Sequence, residues 1–96
     1  MALIVATLNV NGLNDVNKQM SLMSILKFHK IDVCMVQEHN VKDGCDINYL
    51  LSDYHVFQNS CSNLKGGTAI FIRKCSSIRI LNQEMDAEGQ IICVKI

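Results

Sequence analysis

The stretch ALIVATLNVNGLNDVNKQMSLMSILKFHKIDVCMVQE, residues 2–38, decides the fold. Ala2 to Asn9 is a short apolar run rich in β-branched residues, the pattern of a strand covered on both faces. Val10-Asn11-Gly12 breaks it, because Asn-Gly favours a turn. Asn14 and Asp15 are good helix N-caps. Beyond them Val16, Met20, Met23 and Lys27 follow one helical stripe, with Leu22, Ile25 and Leu26 widening it toward a core. Met20 and Met23 read as core packing. Lys27, His29 and Lys30 fall at the helix C-terminus, where positive charge complements the dipole. Ile31 to Gln37 is a second apolar run, ending at Glu38. Strand, helix and strand of this length predict a parallel βαβ unit. Asn9 and Glu38 then lie at the C-terminal ends of neighbouring parallel strands, the edge where open α/β sheets bind ligands.

The second half changes character. Asp46 to Leu51 suggests a helical turn, Tyr54 to Gln58 a strand, and Asn59 to Lys65 a polar loop. Gly66-Gly67 opens the run Thr68 to Ile72, a strand by β-propensity. Ile78 to Leu81 and Gln90 to Ile96 alternate apolar and polar residues around a turn at Asp86 to Gly89, which predicts antiparallel neighbours extending the sheet. The sequence reaches Ile96 inside this apolar pattern without turn or cap, so it is expected to be part of a longer domain.

Composition bounds the rest. The 96 residues allow one small domain with a modest core. Hydrophobic residues make up 49% and charged residues 19%, a globular balance. Nine basic residues face nine acidic ones, so no excess of Lys and Arg argues for DNA affinity. The five cysteines, at positions 34, 45, 61, 75 and 93, are odd in number and widely spaced, without a C-x-x-C pair. That spacing argues against structural zinc and against a disulfide framework. Cys34 and Cys93 sit in apolar runs as small hydrophobes, and reduced thiols imply an intracellular protein, nuclear or cytoplasmic. The N-terminus lacks a basic n-region and is too short to span a bilayer, so no membrane is expected.

TLNVNGL (residues 7–13), VQE (36–38), GGTAIFI (66–72) and DAEGQIICVKI (86–96) stand in the order of four motifs of the endonuclease/exonuclease/phosphatase superfamily, which the chain resembles over nearly its whole length. The nearest pattern is the endonuclease of non-LTR retrotransposons, then apurinic/apyrimidinic endonucleases. The resemblance implies an α/β fold, the first half of a DNase I-like two-sheet sandwich, with a mixed sheet and one main helix. It implies magnesium-dependent phosphodiester hydrolysis, a DNA-nicking activity for the full-length domain. Glu38 matches the glutamate that ligates Mg²⁺, and Asn9 the asparagine that orients the scissile phosphate and the metal carboxylates. Mg²⁺ is often held by one or two carboxylates plus substrate phosphate, which suits a single glutamate. Departures are also present. The family usually has Thr-His after the QE pair, where His39 and Asn40 stand here, and often Arg after D-x-E-G, where Gln90 stands. Its D-x-N motif, later metal aspartate and aspartate–histidine pair are expected beyond Ile96, so the fragment is expected to be inactive unless the C-terminal half or another chain completes it.

Each site residue has a plainer alternative. Glu38 also reads as a solvated carboxylate at a strand end, and Asn9 as a turn residue leading into Asn11-Gly12. His39 suggests acid–base chemistry, yet a loop histidine is the simpler reading. Gly66-Gly67 hints at phosphate cradling without P-loop spacing, against the start of a hairpin strand. For the molecule, the alternatives are a phosphatase or deadenylase of the same superfamily and a non-catalytic remnant or interaction module. If a second sheet belongs to the domain, the sheet face that meets it should be unusually apolar.

Overall fold

A computed structural model of the chain describes residues 2–41, 52–60, 66–74, 77–88 and 90–96. Their order is β1 (Val5–Asn9), α1 (Val16–Phe28), β2 (Val33–Gln37), β3 (Tyr54–Asn59), β4 (Thr68–Arg73), β5 (Asn82–Met85) and β6 (Ile92–Lys95). β1 pairs parallel with β2, β2 antiparallel with β4, and β4 antiparallel with β3, a mixed sheet in the order β1-β2-β4-β3. The predicted helical turn at Asp46 to Leu51, and Cys45, Cys61 and Cys75, lie outside the described residues.

α1 begins where the caps placed it. Asp15 is the N-cap, its carboxylate accepting the Asn17 N–H at 2.8 Å. The helix ends in a Schellman arrangement: the Lys30 N–H donates to the Lys27 carbonyl at 3.2 Å and the Ile31 N–H to that of Leu26 at 3.0 Å. Lys30 takes the left-handed conformation, φ 53°, that usually falls to glycine. Ile31 and Leu26, joined by that bond, both enter the core with Leu13, Leu22, Cys34, Val36, Val41, Tyr54, Ala69 and Phe71. The Tyr54 hydroxyl is satisfied there by the Ile31 carbonyl at 2.7 Å.

The buried face of α1 differs from the predicted stripe. Gln19, Leu22 and Leu26 face inward and Met23 packs at the margin, whereas Val16, Met20 and Ile25 are exposed, Met20 at 48%. The Gln19 side-chain amide, donating to the Leu13 carbonyl at 2.5 Å, places this polar residue on the inner face. Apolar residues nearly surround the helix, so periodicity could not choose between the two orientations.

β5 and β6 form the expected antiparallel hairpin, but it is a separate two-stranded sheet, lying against β3 and β4 rather than extending them. Its first strand is Asn82–Met85 instead of Ile78 to Leu81. The turn decides this register. Asp86 Oδ1 accepts the Gln90 and Ile91 N–H groups at 3.0 Å each, which seats Met85 opposite Ile92. On this outer hairpin Cys93 is exposed, contrary to its reading as a packed hydrophobe, while Cys34 is fully buried and desolvation pushes its thiol up to about 11. Both are free thiols.

The start of β2 is pinned by charge. Asp32 is buried and accepts the Ile4 N–H at 2.9 Å and the Arg73 Nε–H at 3.1 Å. The Ile4 bond, then Arg73, hold its carboxyl below the usual value against the opposing effect of burial.

Truncating Leu26 to Ala should cost about 2–4 kcal/mol in urea unfolding, and Met20→Ala under about 0.5 kcal/mol. A larger loss at Met20 than at Leu26 would restore the original stripe.

Candidate functional site

Strand register builds the site. On the sheet face away from α1, cross-strand partners form three rows. Val5, Val33, Ile72 and His55 make the first, and Thr7, Met35, Ile70 and Phe57 the second. The third row, at the C-terminal ends of β1 and β2, is Asn9, Gln37, Thr68 and Asn59, wholly polar. The face expected to be apolar is therefore largely so in two rows and changes character at the edge where ligands bind in α/β sheets. Within the polar row the Gln37 amide donates to Thr7 Oγ1 at 2.9 Å.

At Glu38 the chain leaves the sheet. Glu38 and Asn40 both adopt left-handed backbone, φ 56° and 55°, conformations that cost a non-glycine residue energy and persist only when their surroundings enforce them. Enforcement comes from both sides. Toward β4, the Glu38 N–H donates to the Gly67 carbonyl at 2.9 Å and the Asn40 N–H to that of Gly66 at 2.8 Å, while Asn40 Oδ1 accepts the Gly66 N–H at 2.6 Å. Toward β1, the Glu38 and His39 carbonyls accept the Gly12 and Leu13 N–H groups at 2.7 Å each, and the Asn14 amide donates to the Asn40 carbonyl at 2.7 Å.

So held, the exposed Glu38 carboxylate accepts through Oε2 a short hydrogen bond from Asn9 Nδ2. Asn9 Oδ1 accepts the Asn11 N–H at 3.2 Å. One side-chain orientation of Asn9 thus serves both the turn into Asn11-Gly12 and the contact with Glu38. Glu38 Oε1 has no hydrogen-bond partner among the described residues. As a hard, solvent-facing oxygen it suits a Mg²⁺ ligand. No three His, Cys, Asp or Glu side chains converge on a metal position among the described residues.

His39 stands in the loop just after β2, as expected of a histidine near a strand end, and is not available for acid–base work. Its ring is fully buried; Nδ1 accepts the Val41 N–H at 2.9 Å, and Nε2 lies 2.8 Å from the Asn59 carbonyl, to which it donates as the protonated nitrogen. Desolvation lowers its pKa, partly offset by its bonds to backbone at Asn59 and Thr68. The ring fits because position 67 has no Cβ. One built there would stand 2.5 Å from His39 Cε1 and 2.9 Å from the Asn59 carbonyl oxygen, on a backbone with φ 88°. Gly66-Gly67 thus admits a histidine and opens β4.

Asn59 extends this arrangement to the hairpin. Its Nδ2 faces Asp86 Oδ1 at 2.9 Å, the Ile91 carbonyl at 2.9 Å and the Asp86 carbonyl at 3.1 Å. The Asp86 carboxyl is held below its usual range first by the Ile91 N–H, then by Gln90, Asn59 and Glu88. The sequence placed Asn9 and Glu38 at one sheet edge, where they meet, and did not announce His39, Asn59 and Gly67 as the supports beneath them. A glycine pair just before a confident strand was the available signal for a close approach.

Over 93 residues the chain is 33% identical to an exodeoxyribonuclease of Bacillus subtilis (strain 168), an alignment covering 91% of this chain and 36% of that protein. The chain thus spans about a third of the length of the curated relative it matches. No family profile matches the sequence. The similarity supports a nuclease-type relationship, on a small α/β fold with, among the described residues, a mixed sheet and one helix. No helix among the described residues is long and apolar enough to cross a membrane.

Two outcomes are expected. Gly67→Ala should destabilise by about 3 kcal/mol or more in urea unfolding, since it adds both a clash and a strained φ; a loss under about 0.5 kcal/mol would mean the ring is not seated there. The pH dependence follows from the sign of the His39 shift. Its folded pKa lies below the unfolded 6.5, so its stabilisation is complete above 6.5 and declines as pH falls through 6.5 toward the folded value. Asp32 and Asp86, lowered from 3.8, lose theirs only in the more acidic carboxylate range. Unfolding free energies measured between pH 7.5 and 5 should therefore fall, and a flat profile would contradict the buried neutral ring.

Proposed function

We propose that this chain is the N-terminal part of a magnesium-dependent phosphodiesterase domain of the endonuclease/exonuclease/phosphatase superfamily, with DNA as substrate of the complete domain. Within that class, the retrotransposon DNA-nicking endonuclease is the reading we favour, with the DNase I-like two-sheet sandwich as its full fold. The observation that carries the proposal is the bond from Asn9 Nδ2 to Glu38 Oε2, made across two parallel strands at their C-terminal edge beside a wholly polar row. The similarity to an exodeoxyribonuclease points the same way.

In this reading Glu38 Oε1 is the metal-binding atom, and Asn9 fixes the rotation of the carboxylate by occupying Oε2. Mg²⁺ bound there supplies charge stabilisation at the phosphoryl oxygens and the leaving group. In the same reading the exposed Asn9 side chain would meet the scissile phosphate, and Gln37 and Thr7 continue the polar surface along the sheet. A general base does not come from His39, whose two ring nitrogens are both engaged. Activity then needs further carboxylates and a base from outside the described residues. That Glu38 is the one carboxylate at this edge among the described residues also gives weight to the rival reading, a non-catalytic remnant.

Nicking of supercoiled plasmid separates the two. The 96-residue chain alone should not nick. A version extended by the rest of its reading frame should nick with Mg²⁺, and there Glu38→Gln should reduce the rate by at least about 100-fold and Asn9→Ala by about 10- to 100-fold. Full activity in the extended Glu38→Gln protein would remove the proposed metal ligand, and an inactive extension would favour the remnant.

A further inference from the structure

We infer that His39 is a positioning residue for Glu38: its Nδ1 bond to the Val41 N–H and its seat against Gly67 fasten the left-handed turn that lays the carboxylate on Asn9. The inference rests on the reading of Glu38 as the metal-binding group and adds a residue to which the sequence assigned only a loop.

The argument is geometric. Left-handed backbone at two non-glycine residues flanking one histidine is unfavourable for an isolated peptide, so something must hold it. The His39 ring is the largest group between Glu38 and Asn40 and is fully buried. A side-chain acceptor taking the N–H two residues on is the bond by which Asn and Asp close an Asx-turn, and Nδ1 of His39 makes that bond at 2.9 Å. The opposite nitrogen meets the Asn59 carbonyl at 2.8 Å, so the ring cannot turn over without breaking both bonds. Where the ring goes, the backbone of Glu38 follows, because its N–H and carbonyl are tied to Gly67 and Gly12 on either side. Asn40 fastens the far end of the same turn through Gly66 and Asn14. Glu38 itself is exposed and has no packing of its own to set its direction.

The two bonds can be separated by substitution. His39→Asn retains an acceptor where Nδ1 stands and loses the donor to Asn59. His39→Gln reaches the Asn59 carbonyl with its amide but places its acceptor too far out for the Val41 N–H. The positioning role assigns the aim of Glu38 to the Val41 bond, so the two variants should differ at Glu38 even where their stabilities are alike.

The test uses the full 96-residue chain, isotope-labelled, with MgCl₂ as the probe. The intraresidue amide-to-Hα NOE at residue 38 is strong only for positive φ, and the Asn9 side-chain amide peaks report contact with the carboxylate. Glu38→Gln supplies the reference position for those peaks when the charge is gone. Wild type and His39→Asn should share a strong NOE and the same Asn9 position. His39→Gln should lose the NOE, move Asn9 away from its wild-type position, and weaken Mg²⁺ binding about tenfold or more. If His39→Asn releases Glu38, or His39→Gln leaves it in place, the positioning role is overturned; His39→Asn alone decides where His39→Gln does not fold. The metal reading itself is decided by nicking in the extended protein, and the NOE and Asn9 signals decide the role of His39 whether or not the 96-residue chain binds Mg²⁺.

Discussion

A histidine ring packed onto a glycine is the constraint on which this structure turns. His39 leaves β2 at its C-terminal end and enters the interior instead of solvent. Burying a neutral imidazole is tolerable only when both ring nitrogens are paired, since each buried group left unpaired costs about 1–3 kcal/mol. Val41 and Asn59 provide the two partners, and position 67 must be glycine for the ring to reach them. Four segments distant in sequence are thereby fixed at one point: the end of β2, the end of β3, the start of β4 and, through Asn59, the Asp86 turn of the hairpin. The Glu38 carboxylate stands directly above that junction in sequence, exposed but anchored.

The sheet face opposite α1 is unevenly covered. β6 lies over β3 and β4, and Ile72 is buried there. On the β1 and β2 side, Val5 remains 54% exposed and Met35 38% exposed in the two apolar rows. The polar row begins one step beyond them, at the level of Asn9 and Gln37. A face whose apolar part invites packing and whose polar edge stays open gives a ligand access to the edge even when the rest is covered.

How much of this could be read from residues alone follows from the range of each interaction. The βαβ unit was legible because two continuous β-branched runs and a capped helix are local signals, and parallel pairing then brings Asn9 and Glu38 to one edge by geometry. The inward face of α1 was not legible. It depends on the Gln19 amide finding the Leu13 carbonyl, a single bond that a nearly all-round apolar helix cannot announce. The hairpin register failed for a similar reason: Ile78 to Leu81 has the better strand pattern, but the Asp86 carboxylate sets the pairing from the turn. His39 meets Asn59 and Gly67 across separations of about twenty residues or more, with no periodicity to connect them. Cys93 shows the limit of composition, since an apolar run on an outlying hairpin leaves its thiol in solvent.

The arrangement also divides labour between adjacent residues in a way that bears on chemistry. In the sequence, Glu38 and His39 look like a carboxylate–histidine pair, the usual ingredients of proton transfer. In the fold they part, the glutamate exposed to solvent and the histidine buried in the core. The histidine is spent on structure, and the carboxylate has one oxygen bound by Asn9 and one left open. A group of that kind can bind a cation or accept a hydrogen bond. Among the described residues it has no partner through which to take a proton from water and pass it on. What these residues contribute to any hydrolysis at this edge is the fixed placement of one hard oxygen beside a polar floor.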